Sequence, residues 1–261
     1  MVAQCLERQP SGWRQFVREY LPFAGALLER HFPQLASRHD ELLRDLVLRA
    51  AGQDAQFFRE YSGRSEREFL LHLREHAIRL GEELQPAPPN PEIPLESEVF
   101  EKALVGLSPL ERQVVWMFVL SPVSGDADQI LRLDRKAVAA TMAKAQESLR
   151  AACDRWNPPM LAENRGPLAR EARARRTNDC AAPKVFLRLL DGQITWRDRA
   201  DLEHQLAACW HCVDLLCRFR ETMFLTRRIQ PLPESDTEAY LKLLNLEPPR
   251  VSPWKRLLGK P

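Results

Sequence analysis

The chain has little charge imbalance, few glycines, few cysteines and no long apolar run, and each scarcity removes a class of protein. Lysine and arginine number 38 against 36 aspartates and glutamates, so a net charge of +2 provides no overall field to draw the chain onto a polyanion. Any contact with nucleic acid has to come from local patches. No stretch approaches the roughly 18 apolar residues that read as a membrane span, and the opening MVAQCLERQP lacks the apolar core of a secretory signal. A cytoplasmic protein with no membrane partner is the expectation. With only ten glycines there is no phosphate-cradling loop, and no nucleophile elbow or Ser/His/Asp arrangement is found, so the chain does not read as an enzyme. Six cysteines, at 5, 153, 180, 209, 212 and 217, are too few to staple 261 residues together. In a reducing compartment they stay thiols or bind metal. Repeats and segments of strand period are missing as well, which leaves an all-α protein as the expected fold class.

What is present is helical period broken by proline. Residues 8–83 carry three apolar faces at helical spacing, formed by Trp13, Phe16, Val17 and Tyr20, by Leu42, Leu43, Leu46 and Val47, and by Phe69, Leu70, Leu73 and Ala77. Breaks fall near Pro33 and at residues 62–63. This is a small helical domain. A stiff linker at 84–96 follows, with prolines at 86, 88, 89, 91 and 94. His72 and His76 lie one helical turn apart, but with no third ligand in view they read as surface residues.

Residues 97–153 form the most structured stretch. Ser108 can cap a helix, with Pro109 in its first position and Glu111 placed to complete a capping box. A short helix at 126–132, a turn at 133–134 and a longer helix with Val138, Met142, Ala145 and Leu149 on one face then make a helix-turn-helix. That geometry lays a recognition helix in a DNA major groove. Residues 154–178 are a connector in which arginines 165, 170, 173, 175 and 176 crowd together, ordinarily a solvated charge run and otherwise a phosphate contact. In the last unit, 179–230, an apolar helix closes at residues 191–192, where Gly192 can take the left-handed position. Thr195 then caps a second helix that runs through 202–224, and 231–261 is a loosely held tail with a possible short helix at 237–244.

The order of helical domain, proline linker and helix-turn-helix resembles bacterial sigma factors of the extracytoplasmic-function group. WRQFVREYLPFAGALLERHF and SEREFLLHLREHAIRL are similar to their second conserved region. ALVGLSPLERQVVWMFVL and LRLDRKAVAATMAKAQESLR are similar to their fourth, with Leu107, Glu111, Arg112, Val114, Leu133, Val138, Ala145 and Leu149 on the pattern. The resemblance covers about 11–152. It implies a first domain that docks on core RNA polymerase and melts promoter DNA, and a helix-turn-helix that reads the element further upstream. The departures are specific. Phe69 and His76 stand where the family has Trp and Asn, Glu82 and Glu83 would repel phosphates, and the reading helix carries alanines at 137, 139, 140 and 143. Arg135, Lys136, Thr141 and Lys144 remain as DNA contacts. Since a good base contact contributes about 1–3 kcal/mol of discrimination, so few of them predict weak unaided reading.

The C-terminal DCAAPKVFLRLLDGQITWRDRADLEHQLAACWHC resembles the zinc-binding anti-sigma domain, whose pattern ends in His-x-x-x-Cys-x-x-Cys. The resemblance implies Zn2+ held by Cys180, Cys209 and Cys212, with His204 or His211 as fourth ligand. Gln205 occupies the family's histidine position and His204 sits one residue early, turned by roughly a further 100° on a helix. Zinc with a distorted helix, a metal-free core of small thiols, and a thiol switch are all open on these residues. The combined expectation is a sigma-like regulator of transcription initiation, controlled in cis by its anti-sigma-like end. The alternative is a degenerate sigma fold that acts by binding polymerase, a sigma factor or an anti-sigma factor.

Overall fold

A computed structural model describes residues 1–52, 55–85, 95–121, 126–157 and 159–245. Every regular element among the described residues is helical, and no helix among them is long and apolar enough to cross a membrane. The chain divides into two compact units, Met1–Glu82 with Arg228–Pro261, and Glu83–Arg227. Most of the expected proline linker lies outside the described residues, as does the stretch 246–261 of the expected tail.

In the first unit α1 (Val2–Leu6) and α2 (Pro10–Gln15) lead through a π-helical turn, Phe16–Tyr20, into α3 (Leu21–His31). A 3-10 turn at Pro33–Arg38, α4 (His39–Ala51), α5 (Gln56–Arg59) and α6 (Glu66–Leu84) follow. The three apolar faces meet in one core. Trp13 and Phe16 pack edge-on against Phe58 with centroids 5.2 and 5.3 Å apart, and Phe57 and Phe69 close the cluster. Each such pair adds about 0.5–1.5 kcal/mol beyond the area it buries. One glycine is required by contact: a Cβ on Gly81 would lie 2.2–2.6 Å from three ring atoms of Phe32. His72 and His76 are half-buried rather than superficial, each with its ring centroid 4.8 Å from that of Phe57, His72 tilted and His76 edge-on, and His72 Nε2 lies 2.7 Å from the Phe57 carbonyl.

The second unit contains α7 (Ser97–Ala103), α8 (Pro109–Leu120), α9 (Ala127–Leu131) and α10 (Arg135–Ala152). It continues with α11 (Pro159–Glu163), α12 (Arg165–Ala174), α13 (Pro183–Leu190), α14 (Trp196–Ala208) and α15 (Trp210–Thr226). The capping box is formed: the Ser108 hydroxyl accepts the Glu111 N–H at 3.3 Å, and the Glu111 carboxylate accepts the Ser108 N–H at 2.8 Å. Arg132 takes a left-handed φ of 56° and ends α9, and Asp134 caps α10 by accepting the Lys136 N–H at 3.1 Å. α8 is buried on nearly all sides, with Val114, Val115, Trp116, Met117 and Val119 inside, and so acts as the central helix. α10, α12, α14 and α15 all pack on it.

The expected connector is folded structure in this unit. Leu168, Ala169 and Ala172 of α12 are buried, Arg165 Nε donates to the Phe118 carbonyl at 2.8 Å, and Arg175 pairs with Glu101 and Glu171. Buried Asn164 accepts the Leu95 N–H at 2.9 Å and donates to the Met160 carbonyl at 2.8 Å. Pro159 and Pro167, which read as helix breaks, stand instead in the first turns of α11 and α12, where a missing N–H costs nothing. The second helix of the last segment is likewise broken at Cys209, whose extended backbone (φ −123°, ψ 113°) separates α14 from α15. Gly192 closes α13 with φ 69°.

The expected tail returns to the first unit as α16 (Glu234–Leu243), with Thr237 and Leu241 buried. Pro22 has no N–H to offer the carbonyl four residues back, that of Arg18. The Leu232 N–H takes that carbonyl at 2.9 Å, while Arg14 pairs with Glu234 and Glu238. The attachment is therefore made by groups that sequence periodicity does not reveal.

Candidate functional site

The thiols of Cys180, Cys209 and Cys212 converge, with all three sulfurs within 4.8 Å of one another and Cys180 Sγ 3.8 Å from Cys209 Sγ. Local structure explains the convergence. Cys209 is the hinge residue between α14 and α15, Cys212 lies in the first turn of α15, and Cys180 lies in the segment leading into α13. The first-turn N–H groups of a helix favour negative charge. Hydrogen bonding from the Cys212 thiol first, then the backbone N–H of Cys212, the Cys180 thiol and the His211 N–H hold the Cys209 thiol down at about 5. Cys212 moves the other way, pushed up by its bond to Cys209 and by burial. The Thr177 N–H points at Cys180 Sγ from 3.3 Å.

Of the four ligands expected for zinc, the structure brings together three. His204 is exposed on α14 and does not join the group, and neither does buried His211, whose Nδ1 has no hydrogen-bond partner among the described residues. Gln205 is the α14 side chain that faces the cluster. Its amide oxygen accepts the Cys212 S–H at 3.6 Å and its amide nitrogen donates to the Asp179 carbonyl. A structural zinc site takes four N or S ligands. Three thiols can hold a metal, but the Cys3His set that the resemblance implies is not assembled. The rotation of α14 decides this, because i and i+4 share a face and i and i+5 do not.

The thiol motif also reaches into the packing of α7 and α8. Trp210, between the two motif cysteines, is buried with its ring 5.2 Å from Trp116 of α8 and 5.1 Å from Phe100 of α7. The Arg112 guanidinium lies 5.2 Å over the same ring. One turn further along α15, the fully buried Asp214 accepts the Trp116 indole N–H at 3.0 Å and lies 2.7 Å from Arg218 and 3.9 Å from Arg173. Cys217 donates to the Gln113 carbonyl at 3.7 Å, and burial pushes its thiol up. Helical period and motif spacing did not point to Trp210 or Asp214 for these roles. The signal was a bulky aromatic inside CWHC and an acid on an apolar helix.

The four expected DNA contacts lie along α10 in different states. Arg135 is ion-paired to Asp128 at 2.9 Å, and Lys144 to Glu111 at 3.0 Å. Lys136 is exposed and Thr141 is half-buried. The face with Arg135, Met142 and Ala143 forms one wall of a groove of about 650 Å³, whose other wall carries Leu161 and Arg165. No known protein family, curated protein or solved structure matches the chain.

Proposed function

We propose that the chain is a sigma-like regulator of transcription initiation that binds core RNA polymerase and promoter DNA, and that its three-thiol centre sets the state of the helix-turn-helix. The observation that carries the reading is Trp210: a residue of the thiol motif stands in the aromatic core that positions α8 and α7. A change at Cys209 or Cys212 moves Trp210, and with it the support of α10. Regulation then works through a shared core rather than through a separate inhibitory domain swinging onto its target.

The test uses the full chain, because removing residues from 178 onward would strip Trp210 and Asp214 from the core of the second unit. Co-migration with core polymerase and run-off transcription from a promoter library are measured for the chain and for Cys209→Ser and Cys212→Ser. Polymerase-dependent transcripts whose yield changes with either substitution support the reading, and a chain that does not bind polymerase overturns it. A second reading, a sigma-like fold that binds polymerase, sigma or anti-sigma factors without reading promoters, is favoured by the ion pairs that engage Arg135 and Lys144 on an alanine-rich helix. Binding without initiation is its outcome.

A further inference from the structure

We propose that Cys180, Cys209 and Cys212 form a receptor for a trivalent thiophilic metalloid of the arsenite class, bound by three sulfurs, rather than a four-ligand zinc site. The proposal rests on the reading of this cluster as a metal-holding centre, and on nothing in promoter binding. Three sulfurs lie within 4.8 Å of one another, and among the described residues no further His, Cys, Asp or Glu joins them. The α14 side chain facing the cluster is the neutral amide of Gln205, tied to the Asp179 carbonyl and offering only a hard oxygen to a soft ion. His204 faces solvent.

Charge points the same way. Three thiolates around a divalent ion leave a net charge of about −1 and around a monovalent ion about −2, whereas a trivalent centre is neutral and carries no desolvation cost at a half-buried site. The binding step balances without redox chemistry. Arsenous acid, As(OH)3, exchanges its three hydroxyls for three sulfurs: three As–S bonds form, three As–O bonds break, and each hydroxyl leaves as water with a proton from the incoming thiol or, for a sulfur already ionised, from solvent. Arsenic stays trivalent, and no oxidant or reductant is needed.

The experiment uses the reduced full chain with sodium arsenite as probe, without polymerase or DNA. Expected are one arsenite per chain, a sulfur-to-arsenic charge-transfer band, and protection of Cys180, Cys209 and Cys212 from alkylation, located by mass spectrometry on the unsubstituted chain. Cys153→Ser should bind arsenite like the parent. Cys180→Ser should bind at least ~10-fold more weakly, the scale on which changes around a metal ligand count. Gln205→His, which supplies a fourth ligand one turn from Cys209, should raise zinc affinity at least ~10-fold. Unchanged alkylation of the three cysteines in arsenite overturns the proposal, and so does a parent chain that holds zinc as tightly as Gln205→His. A chain that binds arsenite but never initiates transcription refutes the transcription reading alone.

Discussion

Asp214 offers a sharp perturbation of the second unit. Its carboxylate is fully buried, 2.7 Å from an arginine that is itself only 7% exposed, and it also accepts the Trp116 indole N–H. At an effective dielectric of about 20 the attraction at that separation is about 6 kcal/mol. Desolvation of both ions offsets much of it, so the pair's net contribution is small while the loss of one partner is not. Asp214→Ala leaves Arg218 and Arg173 without their shared carboxylate neighbour, and the expected destabilisation is about 3–5 kcal/mol. Asp214→Asn keeps an acceptor for Trp116 and should cost less. The pair Asp214→Leu with Arg218→Met should recover only part of the loss, because apolar replacement removes both desolvation costs together but leaves the buried Trp116 indole N–H without its acceptor. Urea unfolding followed by tryptophan fluorescence reads the effect, since Trp116 is bonded to the carboxylate and Trp210 packs against Trp116. A loss below about 1 kcal/mol for Asp214→Ala would refute the argument that this carboxylate compensates the buried arginine beside it.

Acid should destabilise the first unit through His76. Burial first, then His72 and Arg79, lower its imidazole to about 4, against the opposing pull of Glu60 at 3.6 Å. The unfolded chain therefore binds the proton more readily. The contribution is complete above about pH 6.5 and is lost as pH falls through about 4, by up to about 3 kcal/mol for a side chain one-fifth exposed. Unfolding curves at pH 7 and 4.5 should lie closer together for His76→Gln, with the remainder left to His72, which burial also lowers, and an unchanged pH slope would count against this origin. Gly81→Ala should destabilise by about 1–3 kcal/mol despite alanine's better helix propensity, because its Cβ meets the Phe32 ring, and Phe32→Leu should relieve it. On the transcription reading, Lys136→Ala should weaken DNA binding evenly across sequences and lower the salt slope by about 1, while Lys144→Ala does less because Glu111 already holds that ammonium. The reverse order would mean that α10 presents another face.

The legible parts of the chain were those where one residue type forces one local geometry. Ser108, Pro109 and Glu111 specify a capped start to α8, Gly192 a left-handed stop, and the spacing of Val138, Ala145 and Leu149 a buried face of α10. Proline was the misleading signal. Pro159 and Pro167 read as chain breaks, yet each stands in the first turn of a helix, and three of the five connector arginines are engaged, Arg165 with the Phe118 carbonyl, Arg173 with Asp214 and Arg175 with Glu101 and Glu171. The tail was illegible for a related reason: its anchor is the Arg18 carbonyl that Pro22 leaves without a donor, and no local pattern in 231–245 announces a partner more than two hundred residues away.

At the thiols, the sequence by itself determined that Cys209 and Cys212 stand three residues apart and that glutamine, not histidine, stands one helical turn before Cys209. Only the tertiary structure decided which side chains meet there, because the twist of α14 turns Gln205 inward and leaves His204 in solvent. It also decided that Trp210 belongs to the core between α7 and α8. A side chain's helical phase can be counted along the chain, but the helix it finally rests against is fixed by which buried surfaces fit together.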